Sequence, residues 1–282
     1  MNKQKFHLDP TFLIGLSIAL VCILGGLMLE KGEIHDVAQI TSALIVFGGT
    51  CGAVVIGTPK DALLKALKQI PSVLRNDIPQ PATVLDDVLR LSTLARRDGL
   101  ISLDAKVSEL SDPFFQRCMR LAVDGLNAEE IRNLAEMELL VSEQQTEEDA
   151  RVFEAAGGYA PTIGIIGAVL GLMQVMKHLD SIQDVGRGIA VAFVATIYGV
   201  GIANLIFLPI GSKIRTQARL ISKVREMMIE GVIAIQEARN PRLIQQMLEP
   251  FITRETRKEK IITKSKPAVE YQNQARRVES AT

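Results

Sequence analysis

The runs YAPTIGIIGAVLGLMQVM (159–176) and GIAVAFVATIYGVGIANLIFLP (188–209) decide the fold. In the first, Gly164, Gly167, Ala168 and Gly171 recur at helical spacing; in the second, Ala192, Thr196, Gly199 and Ala203 do the same. Each run therefore reads as a helix with one narrow, close-packing side. Inside a bilayer, apolar burial gives helices no reason to associate, and small side chains that let backbones approach supply one. Together with the short polar loop between them, the two runs read as a membrane hairpin. Neither contains Asp, Glu, Lys, Arg or His. If ions cross here, the titratable group that carries them must come from another chain.

Working outward, two more uncharged segments of spanning length lie at 12–29 and at about 38–57, separated by a short loop that carries Lys31, His35 and Asp36. Gly48, Gly49 and Gly52 give the second of them a small face of its own. The 282-residue chain has a mean hydropathy of +0.21 with 48% hydrophobic and 23% charged residues, so the two kinds must be segregated into blocks. That pattern is a membrane protein with a substantial aqueous part. Net charge is zero, so no overall basic field recruits nucleic acid. Cys22, Cys51 and Cys118 lie far apart and read as structural thiols, and His7, His35 and His178 are equally scattered, so neither a metal site nor a cofactor is implied. The 12–29 run is followed by Glu30 with no small-residue cleavage site before it, and is read as a span and not as a signal peptide.

Orientation follows from basic residues beside the spans. Lys3 and Lys5 precede the first, Lys60, Lys65 and Lys68 follow the second, and Lys213, Arg215, Arg219 and Lys223 follow the fourth. Both termini and the middle segment are expected in the cytoplasm. In that segment, 61–74 and 82–94 show helical apolar periodicity, Asp112-Pro113 forms an N-cap followed by proline, and Asn127 with Glu130 forms a capping box. The acidic helix that follows is expected to end at Gly157-Gly158, with its carboxylates on a solvated face. Pro161 and Pro209 are read as bracketing the hairpin at the start of one helix and the end of the other. After Pro209, 214–238 is amphipathic, Asn240-Pro241 breaks it, 242–252 is a short helix, and the tail to Thr282 has the composition of a disordered segment. The expected fold is an all-α membrane protein: N-terminal tail and spans one and two (1–57), a cytoplasmic helical domain (58–157), the channel-forming hairpin of spans three and four (158–209), and cytoplasmic C-terminal helices with a tail (210–282).

No phosphate-cradling loop, carboxylate pair or activated nucleophile can be assembled, which argues against an enzyme. The polar groups in the spans are Ser17, Thr41, Ser42, Thr50, Thr162, Thr196, Tyr198 and Asn204. The Thr196 hydroxyl is placed to bond its own backbone one turn back or a passing water.

Taken together, PTIGIIGAVLGL (161–172), GIAVAFVATIYG (188–199), NLIFLP (204–209), RRDG (96–99) before SLD (102–104), VDG (123–125), GVIAIQE (231–237) and NPR (240–242) resemble the flagellar motor stator proteins of the MotA/PomA type. The resemblance implies a subunit of the bacterial inner membrane, five copies of which ring two copies of a MotB/PomB-type partner. That partner's single helix carries an essential aspartate, and proton flow is coupled to torque on the rotor protein FliG. It further implies that Thr196, Ala168 and Ala195 belong to the ion path, that Pro161 and Pro209 take part in conformational coupling, and that Arg96, Arg97 and Asp104 face the rotor. Sodium-driven relatives tend to have threonine where this chain has Ala168 and Ala195. A TolQ/ExbB-type energiser would be expected to have three spans, and a structural scaffold would need no ion path.

Overall fold

A computed structural model describes residues 10–32, 37–74 and 78–252, and all regular structure among them is helical. Lys3, Lys5, His7, His35, Asp36 and the tail beyond Ile252 lie outside the described residues. Four helices are long and apolar enough to cross a membrane: α1 (Thr11–Leu29), α2 (Ile40–Gly57), α7 (Ala128–Lys177) and α8 (Ile182–Gln236). Between them stand α3 (Lys60–Val73), α4 (Pro81–Asp98), the single turn α5 (Asp104–Val107) and α6 (Pro113–Val123), and α9 (Pro241–Leu248) closes the described chain.

The helix starts follow local chemistry. Asp112 Oδ1 accepts from the Phe114 and Phe115 N–H groups at 2.7 and 3.2 Å, satisfying donors that the first turn of α6 leaves free. At the start of α7, Asn127 Oδ1 accepts from the N–H groups of Glu129 and Glu130, and Glu130 Oε2 accepts from the Asn127 N–H, all at 3.0 Å. This is the reciprocal box expected from the sequence. Asn240 Oδ1 accepts from the Arg242 N–H at 2.9 Å and starts α9 in the same way.

Two expected breaks are absent. Helix α7 runs unbroken through Gly157-Gly158 and Pro161, and α8 continues past Pro209 to Gln236. A glycine pair costs a helix about 1 kcal/mol per residue, but Gly157 faces Leu208 so closely that an added Cβ would lie 2.6 Å from Leu208 Cδ2. Packing of the two long helices outweighs local propensity there. Proline lacks the N–H that would bond the carbonyl four residues back. Just before Pro209 the helix widens into a π turn, Ala203–Phe207, in which the Leu208 N–H reaches back five residues to the Ala203 carbonyl. A second π turn, Leu44–Gly48, interrupts α2. Such widened turns absorb an extra residue without ending the helix.

The chain clusters into two compact units, 1–77 with 144–218, and 78–143 with 219–282. The first contains α1 to α3, the hairpin, and a small core of Val54, Ala66, Val73, Phe153, Ile210 and Ile214 with neighbours. On α3, which two residues separate from the end of α2, Ala66 and Val73 face that core while Leu64, Leu67 and Ile70 remain exposed. The second unit is built on a fully apolar core in which Val84, Val88 and Leu91 of α4 meet Phe114, Phe115, Cys118 and Met119 of α6, Ile131 of α7 and Met227, Met228 and Val232 of α8. The spacing of the α6 set puts it on one side of that helix. Burial pushes the Cys118 thiol up to about 12, in keeping with a structural role.

Candidate functional site

The hairpin expected from the sequence is present, and its small residues meet across it. An added Cβ on Gly171 would lie 2.8 Å from both the Ala192 nitrogen and the Gly188 oxygen; on Gly167 it would lie 2.8 Å from the Ala195 methyl. At Gly164 it would meet the Ala195 oxygen at 2.9 Å, and at Gly199 the Ala160 oxygen at 2.6 Å. At Gly164, Gly171 and Gly199 these are backbone-to-backbone approaches, and at Gly167 the backbone meets the Ala195 methyl; none leaves room for a larger side chain. Helix α2 leans on the same pair. A Cβ on Gly49 would be 2.7 Å from Ile163 Cγ2, the Ser42 hydroxyl donates to the Val191 carbonyl at 3.1 Å, and the Tyr198 hydroxyl donates to the Val37 carbonyl at 2.6 Å.

Most polar groups of the apolar runs are thereby turned toward backbone. Thr162 donates to the Tyr159 carbonyl at 2.8 Å, Asn204 Nδ2 to the Val200 carbonyl at 2.9 Å, and Thr196 Oγ1 to the Ala192 carbonyl at 3.2 Å. Thr50 is buried, and its Oγ1 has no partner among the described residues. Of the residues assigned to the ion path, Ala195 is fully buried against Gly167, Ala168 is half-buried, and Thr196 is exposed on the outside of the hairpin. Consecutive helical residues point about 100° apart, so Ala195 and Thr196 cannot share a face. A single copy of the chain does not gather the three around one cavity.

Pro161 and Pro209 sit inside α7 and α8 and not at their ends. Pro161 is one turn beyond Gly157 and Pro209 adjoins Leu208, so both stand within about one helical turn of the Gly157–Leu208 contact.

In the second unit, Arg96 and Arg97 end α4, Gly99 turns the chain with φ +84°, and the 3-10 turn Leu100–Leu103 leads to Asp104. The positive φ favours glycine at that corner. Leu103 is fully buried and anchors the turn, while Arg96, Arg97 and Asp104 are exposed. Arg97 is bound to Asp98 through Nε and Nη2 at 2.8 and 2.7 Å, which holds the Asp98 carboxyl below its ordinary range. Arg96 and Asp104 make no ion pair among the described residues.

One cluster went unread in the sequence. In the first unit Arg215 donates from Nε and Nη2 to both Glu147 oxygens at 2.8 Å, and from Nη2 to Glu154 Oε2 at 2.9 Å. The hydrogen bonds from Arg215 hold Glu147 below the usual carboxylate range. Two residues on, Asp149 turns inward to 3% exposure and accepts from Gln69 Nε2 at 3.3 Å, and desolvation pushes its carboxyl up. Three acids expected on a solvated face are therefore interior or paired. Only the seven-residue spacing of Glu147 and Glu154, which puts both on one side of α7, could have hinted at a shared partner.

Comparison with known proteins gives two family matches. The MotA/TolQ/ExbB proton channel family matches residues 106–227, and the N-terminal region of motility protein A matches residues 13–98. Motility protein A of Bacillus subtilis is 33% identical over 250 residues, covering 87% of this chain and 91% of the relative. Two solved structures share the fold: the C. jejuni MotAB structure, with a TM-score of 0.84 at 29% identity over 87% of this chain and 96% of the other, and the flagellar MotAB stator complex of Bacillus subtilis, with 0.83 at 32% over 88% and 98%.

Proposed function

We propose, from the premise that this chain belongs to the motility protein A group of the MotA/TolQ/ExbB proton channel family, that it is an ion-conducting stator subunit of the bacterial flagellar motor. The observation that carries the mechanism is a hairpin packed along its small residues, with no Asp, Glu, Lys, Arg or His in either apolar run. Such a pair can form a wall but cannot itself carry a proton, because an ionisable group at membrane depth is the usual relay. The relay is supplied by the aspartate of a MotB/PomB-type partner helix, around which copies of this chain assemble, five in the complete ring.

The exposed Thr196 faces that partner or a neighbouring copy, and Ala168 lies at the edge of the same surface. Pro161 and Pro209, beside the Gly157–Leu208 contact, form the level at which the two long helices change shape when the aspartate is neutralised. The long helices carry that change toward the second unit, whose Arg96 and Asp104, exposed and unpaired beside a buried Leu103, engage FliG. Arg97 contributes less because Asp98 already neutralises it.

The chain sits in the inner membrane with both termini, 58–157 and 210–282 in the cytoplasm. Lys60, Lys65 and Lys68 favour that side after α2. The exposed Leu64, Leu67 and Ile70 of α3, directly after that span, suit a helix lying at the membrane surface. The test is complementation: this chain with its cognate partner, expressed in a flagellated host lacking stators, is expected to restore swimming. Assembly without motility would count against the reading.

A further inference from the structure

The second unit contains an open groove of about 470 Å³ between its parts of α7 and α8. Glu136 and Glu143 line it from α7, and Glu226 and Glu230 from α8. The single basic residue in its wall, Arg132, is already committed: its Nη1 lies 2.6 Å from Glu230 and 3.4 Å from Glu136. Glu143 and Glu226 have no ion-pair partner among the described residues. Between the acids lie apolar surfaces, with Leu140 51% exposed and Phe251 partly exposed. Acidic walls on an apolar strip call for an occupant that is basic and carries adjacent apolar side chains.

The chain itself offers one. Phe251 lines the groove, and the described residues end at Ile252. The next fourteen, TRETRKEKIITKSK (253–266), hold six basic residues against two acidic ones, with Ile261-Ile262 at their centre. Glu136 to Glu143 spans about 10 Å of helix. Nine residues from 253 to 261 reach up to about 30 Å extended and more than 10 Å even at helical rise. Reach is therefore not limiting, and a tether this short makes weak contacts intramolecular, at a high effective concentration.

We propose that residues 254–266 dock in the acidic groove of their own chain, basic side chains against Glu143 and Glu226 and Ile261-Ile262 against Leu140 and Phe251. The docked segment covers apolar surface of the second unit and neutralises its excess acid. The contact is electrostatic at its rim and weakens with salt.

The test is cysteine cross-linking in the full-length chain assembled with its partner, with Cys22, Cys51 and Cys118 replaced. Leu140→Cys with Ile262→Cys is expected to give a cross-link within one chain, identified by mass spectrometry, at several-fold the yield of the exposed control pair Ser108→Cys with Ile262→Cys. Glu143→Lys with Glu226→Lys should cut that yield several-fold. Adding Arg257→Glu, Lys258→Glu and Lys260→Glu should restore it, which a merely misfolded variant would not do. A yield equal to the control, or indifferent to both sets of reversals, overturns the proposal. Cross-links that join two chains also overturn it and assign the groove to the tail of a neighbouring copy.

Discussion

Gly164 and Gly199 face one another across the hairpin so closely that a Cβ added to either would come within 3.2 Å of the other's Cα. Neither backbone can retreat, since each belongs to a long helix packed on both sides of the contact. Overpacking of this kind costs about 1–3 kcal/mol. Gly199→Ala is expected to lower the melting temperature and the amount of assembled complex, and Gly199→Val to abolish assembly. Gly186, where an added Cβ meets nothing within 4 Å, is the control. Gly186→Ala should leave yield unchanged, and an equal loss at both positions would contradict close packing as the cause.

Glu147 and Asp149 are separated by one residue and should respond to pH in opposite senses. Glu147 is held below the carboxylate range by Arg215, so its contribution to stability is present above its unfolded value of about 4 and is lost as pH falls through the depressed folded value. Asp149 is raised by burial, so its contribution is present in acid and is lost as pH rises through the folded value. Asp149→Asn should therefore stabilise the chain near neutral pH and lose that advantage in acid. Arg215→Ala should destabilise most near neutral pH, where it leaves Glu147 and Glu154 facing each other. Thermal melts of the detergent-solubilised complex across pH decide it, and parallel curves for Asp149→Asn and the parent would refute the assignment.

The contrast between these features also explains what could be read in advance. The Asn127–Glu130 box and the Asp112 cap depend on residues at most three apart, and the small faces of the hairpin depend on helical spacing alone. All were legible. The continuation of α7 through Gly157-Gly158 depends on Leu208, far along the chain, and the pairing of Arg215 with Glu147 spans 68 residues. No local pattern encodes such contacts. The same holds for Ala168, Ala195 and Thr196. The sequence places them on the two hairpin helices, but which face each occupies depends on the Gly167–Ala195 contact between those helices.

Arg96 and Arg97 are adjacent in sequence but differ in what they have to offer a partner. Arg97 already satisfies Asp98, whereas Arg96 and Asp104 are exposed without a counter-charge among the described residues. Arg96→Glu should shrink swimming rings more than Arg97→Glu, and reversing both should nearly abolish motility at unchanged membrane abundance. Exposed pairs contribute little singly, so neither single reversal should be null. Equal effects at the two positions would show that the Arg97–Asp98 pair is not maintained at the rotor.

A wall without its own carrier should not leak. Purified alone and placed in liposomes, the chain is expected to give no proton or sodium conductance above that of empty vesicles. Co-reconstitution with the partner should produce flux that is lost when the partner's aspartate is replaced by asparagine. Conductance by the chain alone would mean that a water path exists past the hairpin without a carboxylate, imidazole or basic side chain.

The coupling ion follows from which oxygens the hairpin can offer. Sodium needs several oxygen ligands to replace its water, whereas a proton needs a titratable carboxylate and a hydrogen-bonded water. Positions 168 and 195 are alanines, and the Ala195 methyl is sealed against Gly167. The adjacent hydroxyl, that of Thr196, is already donated to the Ala192 carbonyl. Its lone pairs can accept from water, but they make a poor sodium cage alone. Motors driven solely by this chain and its cognate partner should keep their speed when sodium is removed and stop when a protonophore collapses the proton gradient. Ala195→Thr should not confer sodium dependence, because the added hydroxyl would enter the Gly167 contact and disturb the hairpin before it reached an ion. Rotation that stops without sodium and survives the protonophore would overturn the assignment.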